Sequence, residues 1–226
     1  LCSSFLNSDK SYNALIRLGV TSTSGDLDGE IVKKLPVPNL SDINIKKLEE
    51  KFSGIIEQTP PMFSALKHKG IRMYEYARKG IEIERPKRNV TINNITLSIH
   101  DETHLLLKVN CSKGTYIRSI ARDLGDKLNS GGHLSALRRL SQGTFNIKNA
   151  MTIENIELNK LITIEEAFSE LSEIQLDSNQ TKFFMNGVKI EEINLEDNTY
   201  KIYDSSKKFL GLGMVSNSVL ALKRLV

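Results

Sequence analysis

The chain has 226 residues, a net charge of +4, 39% hydrophobic residues and 26% charged residues. This is the composition of a soluble globular protein with one large and one small domain, or two modest ones, and it excludes a histone-like polycation. No apolar run approaches the roughly 20 residues needed to span a membrane. Cys2 and Cys111 have no CxxC partner, and His68, His100, His104 and His133 lack metal-ligand spacing with carboxylates or thiols. Neither a disulfide framework nor a metal site is expected. With no secretory signal visible, a reducing cytoplasm is the expected compartment.

The elements follow in chain order. Tyr12, Ala14, Ile16 and Leu18 alternate with Asn13, Leu15 and Arg17, which predicts a strand over residues 11–20. A loop of turn formers, residues 21–29, comes next. Ser41 as N-cap with Ile45, Leu48 and Phe52 on one face predicts a helix to Phe52. Pro60 and Pro61 force extended chain. A short helix is expected over residues 71–79, then strands over 90–100 and 105–110. Lys67, Lys69, Arg72, Arg78, Lys79, Arg85, Lys87 and Arg88 form a basic cluster that could follow a phosphate backbone or simply be a solvated surface.

From Val109 to Leu124 the pattern changes from strand to helix. Val109 and Cys111 alternate with polar neighbours. Thr115 is the expected N-cap, and Ile117, Ile120, Ala121, Leu124 and Leu128 form one helical stripe. Arg118 and Arg122 lie off it. Free N–H groups beside Lys113 and Arg118 could hold a phosphate or carboxylate, the alternative being a basic, solvated helix start. The helix is expected to end at residues 129–132, and another to begin near His133 and carry Leu137, Arg138 and Arg139. Residues 141–145 read as a turn into a strand. An acidic stretch over 151–176, with a helix over 164–171, reads as a linker or packing element. From about Leu176 onward, alternation and hairpin turns predict a small β domain.

Four blocks resemble the bacterial tRNA pseudouridine synthase B (TruB) family. Lys113 to Ser119 matches its K-G-T-Y-I-R-[ST] pattern without a gap. His133 to Arg139, with Gly143 to Phe145, follows at the family's spacing. Upstream stand Asp9-Lys10-Ser11-Tyr12, Ile16 to Gly19 and Asp26 to Gly29. Pro60 to Lys67, with Tyr74 to Arg78 and Gly80, is the fourth block. Together they cover nearly the whole chain.

The resemblance implies an α+β catalytic domain with a mixed, mostly antiparallel sheet over residues 1–172, including an RNA-clamping insertion over 60–88. It implies a PUA-like RNA-binding domain over 173–226. The implied activity is an isomerase reaction that flips the T-loop uridine, position 55 in tRNA numbering, out of its stack and converts it to pseudouridine without metal or organic cofactor. Tyr12 would stack on the flipped base and serve as candidate base, although a strand tyrosine also packs cores. Arg118 would pair with the catalytic carboxylate. Tyr116 and Leu137 would line the uracil pocket. Lys113 would contact a phosphate or support the loop, and Lys67 and Arg78 would grip the T arm. Of Arg138 and Arg139, one would face RNA and the other a carboxylate within the fold. His68 receives no base contact. The implied partner is tRNA, bound by a monomer.

Two departures stand out. Ser22 and Ser24 replace threonines in the family's T-x-T-x-D-x-x-G loop, keeping the hydroxyls; Asp26 and Asp28 are expected to shape a turn. The G-x-L-D-P-x-A-x-G-L-L segment with the nucleophilic aspartate is found nowhere in the 226 residues, and the chain begins with Leu1. An N-terminally truncated family member is expected, with Arg118 an unpaired cation in a cleft. The alternatives are a T-arm-binding protein or RNA chaperone without chemistry, and a defective gene remnant.

Overall fold

A computed structural model describes residues 5–226; Cys2 lies outside them. Residue contacts divide the chain into two compact units between Lys148 and Asn149, so the acidic stretch belongs with the C-terminal unit.

The first unit contains β1 (Lys10–Leu18), β2 (Val20–Ser22), β3 (Ile31–Lys34), α1 (Ile45–Lys51) and β4 (Gly54–Gln58). Then come β5 (Lys67–His68), β6 (Ile71–Arg72), α2 (Met73–Arg78), β7 (Arg88–Ile99) and β8 (His104–Cys111). It ends with α3 (Ile117–Lys127), β9 (Gly132–Gln142) and β10 (Phe145–Asn146). Six strands form one antiparallel sheet in the order β10-β9-β1-β8-β7-β4.

The alternation along β1 places Tyr12, Ala14, Ile16 and Leu18 on one face. Register sets Tyr12 opposite Val109, Ala14 opposite Leu107 and Ile16 opposite Leu105. Ile120, Ala121 and Leu124 of α3 and Leu48 of α1 complete this apolar cluster. Ile16, Leu105, Leu107, Ile120 and Leu124 are fully buried. Each such aliphatic side chain contributes about 1.5–3 kcal/mol on leaving water. Gly125 lets the end of α3 meet the turn before β9, because a Cβ there would lie 2.2 Å from the Gly131 carbonyl carbon.

Several expected elements differ. Residues 132–142 form a strand, although Leu134, Leu137 and Leu140 have helical spacing. Pairing with β1 along its length overrides propensity, and two register shifts disrupt the alternation that would mark a strand. The expected helix to Phe52 is a 3-10 turn at Leu40–Asp42 followed by α1, whose N-cap is Asn44 and not Ser41. The Asn44 side chain accepts from the Lys47 N–H at 2.9 Å. Residues 71–72 pair with β5, so the helix there begins only at Met73. Residues 164–171 hold just one short helix, α4 (Ile164–Ala167), closed by a Thr163–Glu166 capping box.

The C-terminal unit continues with β11 (Glu173–Gln175), α5 (Ser178–Met185), β12 (Asn198–Tyr203), β13 (Phe209–Ser216) and β14 (Val219–Leu225). Its sheet runs in that strand order, with β11 parallel to β12 and the other neighbours antiparallel. Phe184 of α5 is fully buried against Ile174, Ile202, Val215 and Leu220. Lys201, nearly buried, donates to Glu173 at 2.9 Å.

Candidate active site

The sheet supplies one half of the site. Tyr12 is buried, only 8% exposed, in the apolar cluster. Residues directly opposite in an antiparallel pair share a face. Arg139 stands opposite Tyr12, and Leu137 opposite Ala14, so both lie on the Tyr12 face; Arg138 stands opposite Asn13, on the other. The Arg139 guanidinium lies 5.6 Å from the Tyr12 ring centroid and donates to Gln142 Oε1 at 2.9 Å. Leu137 is 49% exposed, an aliphatic surface beside the tyrosine's strand.

Arg138 and Arg139 therefore sit on a strand, not a helix. Neither makes an ion pair with a carboxylate among the described residues; alternation alone separates them. Beside Tyr12, burial first and the Arg139 charge second hold the Lys10 ammonium below its ordinary value. Lys10 Nζ donates to the carbonyls of Ser8 at 2.7 Å and Leu6 at 3.2 Å.

The β8–α3 junction supplies the other half. Cys111 pairs with Lys10, and Lys113 Nζ donates to Asn7 Oδ1 at 2.9 Å, which ties the junction to the chain just ahead of Tyr12. The N-cap is Tyr116, without a side-chain cap bond, and not Thr115, whose hydroxyl donates to the Ser112 carbonyl at 2.9 Å. Gly114 takes φ +81°, which favours glycine. Its carbonyl accepts from Arg88, and the same guanidinium stacks 4.7 Å from the Tyr116 ring centroid. The Tyr116 N–H donates to Gln58 Oε1 at 2.8 Å.

Arg118 is not an unpaired cation. Its Nη1 donates to Asp26 Oδ2 and to the Ser24 carbonyl, both at 3.1 Å, and Nη2 donates to the Phe63 carbonyl at 2.6 Å. The turn at Gly25, φ +79°, folds the 21–29 loop back onto α3 and delivers the carboxylate. Asp26 also accepts from the Ser24 hydroxyl and from the Asp28 N–H at 3.2 Å, so it shapes the turn as expected and anchors Arg118 as well. The Tyr116 N–H and both terminal nitrogens of Arg118 are thus engaged, while the Arg118 Nε–H has no partner among the described residues.

A cavity of about 340 Å³ adjoins Arg118, lined by Ser24, Gly25, Arg85, Ser119 and Arg122 among others. Each arginine on it has an acidic partner: Asp26 for Arg118, Asp123 for Arg122 and Glu82 for Arg85. Burial pushes the Asp123 carboxyl up, and Arg122 partly offsets this. Lys67 on β5 and Arg78 at the end of α2 are exposed. Arg78 lies 5.3 Å from the Tyr74 ring centroid. Gln58, the contacts of Arg88 with Gly114 and Tyr116, and the pairing role of Asp26 were missed in the sequence. Among the described residues no cluster of three or more His, Cys, Asp or Glu could hold a metal, and no helix is long and apolar enough to cross a membrane.

The chain is 40% identical to the tRNA pseudouridine synthase B of Marinomonas sp. (strain MWYL1), over 98% of this chain and 76% of that protein. It is also 40% identical to the tRNA pseudouridine synthase B of Clostridium kluyveri, over 92% and 75%. Its fold matches the crystal structure of a Cbf5-Nop10-Gar1 complex with TM-score 0.67 and 19% identity, covering 99% of this chain and 68% of that one. A structure of an H/ACA RNP bound to a substrate RNA containing 2'-deoxyuridine gives TM-score 0.66 at 17% identity, covering 99% and 67%. At these identities the likeness is one of fold. The family model for the TruB family pseudouridylate synthase N-terminal domain matches residues 1–117. The tRNA pseudouridylate synthase B C-terminal domain matches 118–178, and the pseudouridine synthase II TruB C-terminal model matches 172–226. With a family model matching residues 1–117 and 40% identity to a relative over 98% of this chain and 76% of that protein, the chain belongs to the TruB family of pseudouridylate synthases.

Proposed function

We propose that this chain carries the base-holding and RNA-gripping parts of a tRNA pseudouridine synthase that isomerises the T-loop uridine, position 55. The observation that carries this reading is the shared face of Tyr12, Leu137 and Arg139, tied to the Tyr116–Arg118 junction through β8 and Lys113. A flipped uracil needs an aromatic face, an apolar wall and a held cation near the reacting sugar. Tyr12 offers the first, Leu137 and Tyr116 the second, Arg118 the third. Relatives named tRNA pseudouridine synthase B support tRNA as the substrate.

The reaction breaks the N1–C1′ bond, turns the base and joins C5 to C1′, with loss of the C5 proton. Arg118, fixed by Asp26 and two carbonyls, is placed to orient an incoming carboxylate while that group attacks or stabilises the sugar. Tyr12 stacks on the detached uracil and is the candidate base for C5. Lys67, Arg78 and Arg139 meet the T-arm phosphates, Lys113 meets a phosphate or braces the loop, and Arg138 extends the basic surface on the reverse of the sheet. Residues 173–226, PUA-like, add a second RNA contact. The protein acts as a cytoplasmic monomer.

The 226 residues hold no G-x-L-D-P-x-A-x-G-L-L segment, so by themselves they are expected to bind but not to turn over. The test uses a T-arm hairpin tritiated at C5 of the target uridine. Residues 1–226 should bind it in preference to an unrelated hairpin and release no tritium. A version preceded by an aspartate-bearing family segment should release it. Equal affinity for both hairpins would overturn the substrate assignment, and tritium release by residues 1–226 would overturn the predicted inactivity.

A further inference from the structure

Gln58 is the last residue of β4, directly before Thr59, Pro60 and Pro61, and it is 1% exposed. A buried amide must satisfy its donor and acceptor within the protein. Gln58 spends both on one residue: Oε1 accepts from the Tyr116 N–H at 2.8 Å, and Nε2 donates to the Tyr116 carbonyl at 3.1 Å. The side chain thus pairs with Tyr116 as the peptide of a neighbouring strand would, across 58 residues of sequence.

Holding the N–H and C=O of a single residue fixes the peptide planes on both sides of it. That sets the direction of the Cα–Cβ bond, and with it the Tyr116 ring. It also sets the first turn of α3, because the Tyr116 carbonyl accepts from the N–H groups of Ser119 at 3.1 Å and Ile120 at 3.2 Å. The same segment is fastened to α3 by the Ser119 hydroxyl and by Arg122 Nη2, which both donate to the Thr59 carbonyl, at 2.8 and 3.2 Å. Pro60 and Pro61, both buried, keep the segment extended, so the clamp sits on a stiff support.

We propose that Gln58 is a positioning residue for the target base: its amide aims Tyr116, and through it the wall of the uracil pocket. This rests on Tyr116 lining that pocket. Gln58 does not touch the base itself. Its loss therefore blurs recognition of the base and leaves the grip on the RNA backbone intact.

The test compares a T-arm hairpin carrying uridine with the same hairpin abasic at the target position. The wild-type chain should prefer the uridine hairpin by about tenfold, and Gln58→Leu should bring that ratio to within about twofold of unity with abasic-hairpin affinity unchanged. Gln58→Glu keeps the acceptor for the Tyr116 N–H and loses the donor, so it should fall between them. It decides the matter alone if Gln58→Leu does not fold. Full preference in a folded Gln58 variant overturns the proposal. So does an equal loss of affinity for both hairpins, which is what mere loosening of the fold produces. A wild-type chain without preference removes the pocket reading instead, and that outcome is visible before any variant is made.

Discussion

The two ends of α3 are held in different ways. Its first turn is fixed by polar bonds: Tyr116 to Gln58, Ser119 to Thr59, and Arg118 to Asp26 and Phe63. Beyond that turn the helix is fixed by Ile120, Ala121 and Leu124, all fully buried, and by the close approach at Gly125. Hydrogen bonds prescribe direction, whereas apolar contact rewards only proximity. On the proposed function, the end that aims side chains is the polar one, and the end that anchors the helix is the apolar one.

Breaking the anchor should have the largest effect. Gly125→Val places side-chain atoms against the Gly131 backbone, which cannot yield as a side-chain tip would. Cooperative unfolding of the first unit should be lost in a denaturant titration. Leu124→Ala should cost about 3 kcal/mol in the same titration, from lost burial plus the cavity left behind. Its preference for a uridine hairpin over an abasic one should survive at a temperature where it stays folded. Loss of that preference without loss of stability would show that the two ends are not separable.

Breaking the aim should cost less stability and more function. Asp26→Ala leaves the partly buried Arg118 with carbonyl partners only. The expected destabilisation is about 1 kcal/mol. In a version supplied with the nucleophile segment, turnover should fall while hairpin affinity holds. A variant that unfolds like Leu124→Ala would place Asp26 with the anchor.

The exposed cations should sharpen the contrast from outside. Lys67→Ala with Arg78→Ala should weaken hairpin binding without changing the uridine preference, and should lower the salt slope of log affinity by about 2 at most. Asp101→Asn should have the smallest effect. The Thr103 backbone N–H and then His104 hold the Asp101 carboxyl below its ordinary 3.8. Its stabilising contribution is present above that value and fades as pH falls through the lower folded one. The variant should therefore flatten only the acid edge of a stability–pH curve.

What was legible in the sequence follows the same division. The apolar stripe of α3 and the alternation of β1 were readable because burial leaves a period in the chain. Strand β9 was hidden by its helix-forming leucines and by bulges that break the period. The polar half of the site was largely hidden, since Gln58 and Tyr116, or Asp26 and Arg118, are partners only after folding. Tyr116 and Arg118 were found through the family motif, and their supports carried no comparable local signal.

The central position of β1 has a consequence for how the protein comes off the ribosome. This early strand lies between β8 and β9, and Lys10 meets Cys111 101 residues later. Until β8 and β9 have emerged, β1 has neither neighbour and its apolar face has no cover. The nascent chain must carry an unpaired, aggregation-prone strand through most of the synthesis of its first unit.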